Sequence, residues 1–370
     1  FLLPGLVPAQ EANVEIEVYD YTSGLSHRNV FKILQDEEGY IWLATINGLN
    51  RFDGYDFLSF NSESSNHQIP HDAISDMVLD AGGSLWLSHP DYLYHMPRNG
   101  RTGSDIKVKE GNIVRRESVV PYNLHFDRAG KLWMATYDER SGQTSLQVYR
   151  SDSTLLTLLN LPGQYPQRPI ASWEGKIYVA AHDNHIWVLD QGGVKEDEIT
   201  LSGADNDEAR IVQFQTTPDG IYALLDNGRV YVRRPTWAGF RDHPVNELIG
   251  RRNPQAGTIL VDELENLWIG GRGILWFYDD LAKRLVDYDM PIRQQVKNTC
   301  TYRHLFQDRS GTIWVSSDFG AIKIVQSNRL FAQYLSGGSE YCSNVFCSTR
   351  GIAEDPQGQI YISYYNSIHL

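Results

Sequence analysis

The chain has 370 residues, 41% of them hydrophobic and 12% aromatic, with 31 glycines and few helix-like runs. That length and composition suit a large core built from short strands and tight turns, and carry no signature of disorder. The formal net charge is −13 and the largest basic cluster is Arg251-Arg252, so nucleic acid is excluded as a partner, because phosphate binding needs a positive footprint.

In chain order, Phe1-Leu2-Leu3-Pro4-Gly5-Leu6-Val7-Pro8-Ala9-Gln10 has the pattern of an apolar leader running into a small-residue cleavage site. Residues 1–13 are therefore expected to be a leader remnant or tail. No other stretch is long and apolar enough to span a bilayer. Val14-Glu15-Ile16-Glu17-Val18-Tyr19 then alternates as a strand does, with no earlier sheet to join.

From residue 30 onward one unit recurs. It is an apolar run, then Asp-x-x-Gly, then an apolar residue before Trp and a second apolar run. The first copy is Val30-Phe31-Lys32-Ile33-Leu34-Gln35-Asp36-Glu37-Glu38-Gly39-Tyr40-Ile41-Trp42. Further copies centre on Asp80/Trp86, Asp127/Trp133, Asp262/Trp268 and Asp308/Trp314, with degenerate ones at Tyr178 and Tyr222 and an eighth at Asp355/Tyr361. The aromatic positions 42, 86, 133, 178, 222, 268, 314 and 361 rise in steps of 44 to 47. Such regularity marks a repeat architecture.

Each part of the unit has a physical reason. Asp bonds backbone N–H groups just ahead of it, Gly takes positive φ, and Trp supplies a large apolar face between neighbouring sheets. A third strand follows, as at Gly48-Leu49-Asn50-Arg51-Phe52, and a weaker fourth. The expected fold is all-β: a seven-bladed β-propeller of four-stranded antiparallel blades over 14–327. Residues 328–370 are then the start of a second propeller. The alternative is one eight-bladed ring. In the seven-bladed reading the strand at residues 14–21 becomes the outer strand of blade 7, which removes an exposed edge.

Three cysteines, Cys300, Cys342 and Cys347, are too few for a disulfide scaffold and lack zinc-finger spacing. A Cys342–Cys347 loop, a Cys300–Cys347 pairing and three free thiols all remain open.

Gly24-Leu25-Ser26-His27-Arg28-Asn29-Val30, the run through Trp42-Leu43-Ala44-Thr45, and Asn47-Gly48-Leu49-Asn50-Arg51-Phe52-Asp53-Gly54 together resemble the two-component regulator propeller repeat. The resemblance extends over residues 14–370, closest in the first and seventh copies and weakest in the fourth and fifth. It implies the periplasmic sensor region of a membrane-anchored hybrid histidine kinase, responding to glycan fragments. The membrane span and a dimerising output region would lie outside this chain.

In a four-stranded blade the approach to the inner strand and the loop between second and third strands share one face. Candidate ligand-binding residues on that face are His27, Arg28, Asn29, His71, Asp72, Tyr122, Tyr137, Arg168, His182, Arg210, Arg272, Tyr302 and Arg303. Planar rings stack on sugar faces, and arginine offers paired donors to acidic groups. His182-Asp183-Asn184-His185 has a ligand-like pair, but no third ligand at a recognisable spacing, so it reads as a solvated loop and no metal is expected. No P-loop, dinucleotide fingerprint or Gly-x-Ser-x-Gly elbow occurs, so neither cofactor nor catalytic residue is expected. The rival reading is a propeller lyase or glycoside hydrolase, whose only candidate carboxylates are Asp72, Asp138, Asp183 and Asp318.

Overall fold

The computed structural model describes residues 13–64, 69–89, 92–98, 112–115, 119–138, 141–149, 155–162, 168–201, 209–250, 252, 254–327 and three later strands, Gly351–Glu354, Ile360–Ser363 and Ile368–His369. Seven four-stranded antiparallel sheets form a seven-bladed β-propeller. The innermost strands of blades 1 to 7 are Val30–Gln35, Asp76–Leu79, Val119–Phe126, Ile170–Trp173, Ile211–Thr217, Ala256–Val261 and Tyr302–Gln307. Residues 15–325 make one compact unit. The three later strands form their own antiparallel sheet. The eighth Asp-x-x-Gly turn, Cys342 and Cys347 lie outside the described residues, while Cys300 is a buried free thiol.

The ring closes as the alternation at residues 14–21 predicts. Asn13–Tyr19 pairs with Gly320–Ser327 as the outer strand of blade 7, so seven blades complete the circle and the single eight-bladed ring is excluded. Tyr19 stacks on Trp314 with ring centroids 5.9 Å apart and meets Phe52 of blade 1 at 5.2 Å. Lys323 Nζ sits 2.9 Å from Glu17. The Tyr19 hydroxyl, and then Lys323, hold the Glu17 carboxyl below its usual range. Across the junction Arg309 donates to the Asp36 carbonyl at 2.6 Å and to the Gln35 side chain at 3.2 Å.

The repeated turn is a clasp. Asp127 Oδ1 accepts from the backbone N–H of Ala129 and Lys131, and Oδ2 accepts the indole N–H of Trp133 at 2.8 Å. Asp36, Asp80, Asp262 and Asp308 hold Trp42, Trp86, Trp268 and Trp314 the same way, at 2.6, 3.0, 3.3 and 2.8 Å. A buried indole N–H must find an acceptor, and this one lies six residues upstream in every case. Blades 4 and 5 lack the clasp because their turns are shorter. Trp173 pairs with Lys176 and Thr217 with Gly220, leaving two-residue turns. In blade 4 those two residues, Glu174 and Gly175, sit at φ 47° and 74°, the left-handed geometry a tight hairpin needs. Ser172 and Thr216 then stand six residues upstream where the clasp Asp would be, and Tyr178 and Tyr222 stand in for Trp.

Two short helices, Val245–Ile249 and Asp289–Val296, precede the inner strands of blades 6 and 7. Asp289 is buried and accepts from the Tyr302 hydroxyl at 2.9 Å. That bond fixes the second helix against the inner strand of blade 7.

Candidate functional site: the channel mouth

The inner strands of all seven blades line a cavity of about 620 Å³, at the end of the channel where those strands begin. A recurrent irregularity shapes it. The inner strands of blades 1, 5, 6 and 7 each shift register by one residue, after Val30, Ile211, Ala256 and Tyr302. Blade 3 shifts between Tyr122 and His125. A bulge leaves an extra residue unpaired and turns its side chain. The bulged Phe31, Val212 and Arg303 all line the cavity.

The floor is charged. Lys32 Nζ lies 2.6 Å from Asp76 Oδ1, and Asp76 Oδ2 accepts the Leu124 N–H at 2.8 Å. His304 Nδ1 faces the Ile33 N–H at 3.4 Å, and His125 Nε2 lies 2.9 Å from Ser172 Oγ. Burial, with the Lys32 charge, holds His304 well below the ordinary histidine range. Burial pushes His125 down to about 4; Asp127 opposes that shift and Lys32 adds to it.

A pH dependence follows. His125 is neutral in the folded protein, while in the unfolded chain it protonates near 6.5. Between those values the unfolded state binds the extra proton. The stabilisation is therefore complete above pH ~6.5 and is lost progressively as pH falls toward ~4, amounting to roughly 3 kcal/mol for this one group. Urea unfolding across that window should show stability falling with acid, and His125→Gln should flatten part of the slope.

Of the thirteen sequence candidates, Tyr122, Arg272, Tyr302 and Arg303 line the cavity. The Arg303 guanidinium bonds the Asn29 side chain and lies over the Phe31 ring at 5.1 Å. The Arg272 side chain has no hydrogen-bond or salt-bridge partner among the described residues; only its backbone is engaged, donating to the Gln255 carbonyl at 2.9 Å. The others stand outside the lining. His27 Nδ1 accepts the Asn29 N–H at 2.9 Å, and Arg28 lies over the Phe319 ring at 4.9 Å. His71 stacks on His89, and Asp72 accepts the Ser62 N–H at 2.6 Å. Tyr137 pairs with Thr144 in blade 3. Arg168 is buried and donates to the Pro162 carbonyl, while Arg210 Nε lies 3.4 Å from Asp226. His182 stacks on His185 at 4.2 Å at the tip of a blade-4 hairpin.

Sequence reasoning missed Lys32, Asp76, His125 and His304. A signal existed. Lys32 and His304 each stand ten residues before the repeat tryptophan, charged or polar positions inside otherwise apolar inner strands. The bulges that turn neighbouring side chains inward had no signal of their own.

The fold and its central cavity define a β-propeller with a ligand-sized pocket at one mouth. Residues 24–47 match the family model for the two component regulator propeller, so the chain carries that repeat. Among solved structures it is similar to the extracellular domain of BT3049 from B. thetaiotaomicron, described as a hybrid two component system. The identity is 18%, the TM-score 0.62, and the match covers 94% of this chain and 46% of that one. The extracellular domain of BT4673 from the same organism, likewise described as a hybrid two component system, matches at 16% identity and TM-score 0.63, over 96% of this chain and 45% of that one. This chain thus spans about half the length of those relatives. A streptogramin B lyase matches at 12% identity and TM-score 0.61, over 86% of this chain and all of that one. At these identities the likeness concerns the fold. No curated protein sequence matches.

Proposed function

We propose that the chain is an extracytoplasmic ligand-sensing propeller of a hybrid two-component regulator, which binds an oligosaccharide at the channel mouth and passes the signal to an output outside this chain. The observation that carries this reading is a cavity walled by all seven blades, lined by the uncommitted Arg272 guanidinium on blade 6 and by Tyr122 on blade 3. Arginine forks suit carboxylate or sulfate groups, and tyrosine suits sugar faces. The repeat at residues 24–47 and the likeness to extracellular domains of BT3049 and BT4673 support the sensing role. In this reading residues 328–370 open a second propeller, dimerisation runs through downstream regions, and the membrane anchor lies outside the chain.

Hydrolysis is the weaker reading. Among the described residues the cavity lining holds one carboxylate, Asp76, already engaged by Lys32, where a glycoside hydrolase needs two. Asp72, Asp138, Asp183 and Asp318 do not line the cavity.

The test is a thermal-shift screen against a panel of neutral and acidic glycan fragments. A binder at a hundred times its Kd stabilises the fold by about 2.7 kcal/mol. Arg272→Ala should abolish the shift for an acidic fragment while leaving the unliganded melting temperature unchanged. Silence across a broad panel, or turnover of a fragment by the purified protein, would overturn the reading.

A further inference from the structure

The blade-4 hairpin carries a cluster that the sensing role does not use. Strands Lys176–His182 and His185–Leu189 join through a two-residue turn, with His182 opposite His185. Asp183 takes the left-handed conformation at φ 45°, and the Asn184 side chain donates to the Leu201 carbonyl at 2.9 Å, which ties the turn to the outer strand. On that outer strand, Lys195–Thr200, the partner of His185 is Thr200. Glu198 lies two residues before Thr200 and so on the same face of the sheet. The strand pairing therefore brings together two imidazoles and a carboxylate that the linear spacing keeps apart. One potential ligand atom from each of His182, His185 and Glu198 lies within 4.8 Å of the others.

We propose that His182, His185 and Glu198 form a binding site for a divalent transition-metal ion, with zinc the best match to two imidazoles and one carboxylate. In a tetrahedral zinc site with metal–ligand distances of about 2.0–2.1 Å, neighbouring ligand atoms stand about 3.3 Å apart. His185 Nδ1 and Glu198 Oε1 are already 3.2 Å apart. A ligand atom of His182 lies within 4.8 Å of one from each of the other two, so a bound ion draws His182 inward to complete the set.

Two further observations favour a ligand here. His182 Nδ1 is shielded from solvent and has no hydrogen-bond partner, an unsatisfied nitrogen beside two other donors. Glu198 divides its oxygens: Oε2 is held by Lys195 Nζ at 2.6 Å, which leaves Oε1 toward His185 and fixes the carboxylate as an outer-shell contact does. His185 and Glu198 are about one-third exposed, at 30% and 37%, so an ion has a way in and a fourth position stays open to water. Lys195 and Arg168 set positive charge near the site and Asp183 negative. The balance argues for selection by ligand type more than by charge, and imidazole disfavours calcium and magnesium.

The test uses the whole chain, stripped with chelator and titrated with zinc chloride by calorimetry. One saturable equivalent is expected, with no heat from calcium or magnesium and a rise in melting temperature on zinc addition. His182→Gln and Glu198→Gln should each weaken zinc binding at least tenfold. Both positions are partly exposed, so the metal-free melting temperatures should match the parent and show that the variants fold. Cobalt substitution separates this site from any cysteine site: the bound ion should show tetrahedral bands without thiolate charge transfer. Absence of saturable binding to the parent overturns the proposal. So does zinc binding that both variants retain unchanged, or a thiolate signature.

Discussion

Asp308→Ala should destabilise the propeller by about 2–4 kcal/mol, because it strands several donors at once, among them the buried Thr312 N–H and Trp314 indole. Asp308 Oδ1 accepts the N–H groups of Ser310 and Thr312, and Oδ2 accepts the indole N–H of Trp314. Trp314 in turn packs on Tyr19 and Phe52 at the junction where the ring closes. Loosening it therefore attacks the blade and the closure together. Asp308→Asn keeps an acceptor for the indole and should lose about half as much. Asp190→Ala is the control. Asp190 also accepts two backbone N–H groups, from Gly192 and Val194, but holds no indole and lies in an exposed turn. Its loss should be much smaller. Urea unfolding of the three variants decides the matter, and equal losses for Asp190 and Asp308 would show that the indole bond contributes nothing.

Lys32→Met should cost about 3 kcal/mol, for a different reason. The cost of breaking a buried ion pair is mainly the cost of the charge left behind. Asp76 would keep its bonds from the Leu124 and Met77 N–H groups and lose the Lys32 counter-charge. The double variant Lys32→Met/Asp76→Asn should recover much of that loss, since no uncompensated charge remains. Lys32 also depresses the proton affinity of His125 and His304, so removing it should shrink the stability that these histidines lose as pH falls below ~6.5. A double variant no more stable than Lys32→Met would refute the ion-pair account.

The architecture was legible in the sequence because its signal is repeated. Eight aromatic positions at near-constant spacing define the blades, and the strand at residues 14–21 without a neighbour points to the closure. The partner of each repeat tryptophan was also visible without being read: Asp and Trp stand six apart in five blades, and in blades 4 and 5 both are lost. The candidate site was only half legible. Four of the loop candidates, Tyr122, Arg272, Tyr302 and Arg303, line the cavity, while others are spent on the scaffold, as Asp72 on Ser62 and Arg210 on Asp226 show. What reaches the cavity depends on bulges, and a bulge is a property of two paired strands that no single strand's sequence displays. Glu198 shows the same limit, since it meets His185 through a register 13 residues away.

The closure also sets a timetable for synthesis. Glu17 and Lys323 are bonded although 306 positions separate them. At about 5–20 residues per second, the first strand emerges roughly 15–60 seconds before its partner exists. For that interval Ile16 and Val18 lack the blade-7 core they pack against, and Tyr19 and Phe52 lack Trp314. Blades 1 to 6 are each made of consecutive strands and can assemble as they appear. Blade 7 alone must wait for both ends, so a nascent chain is most vulnerable to wrong partners at the one seam that finally holds the circle shut.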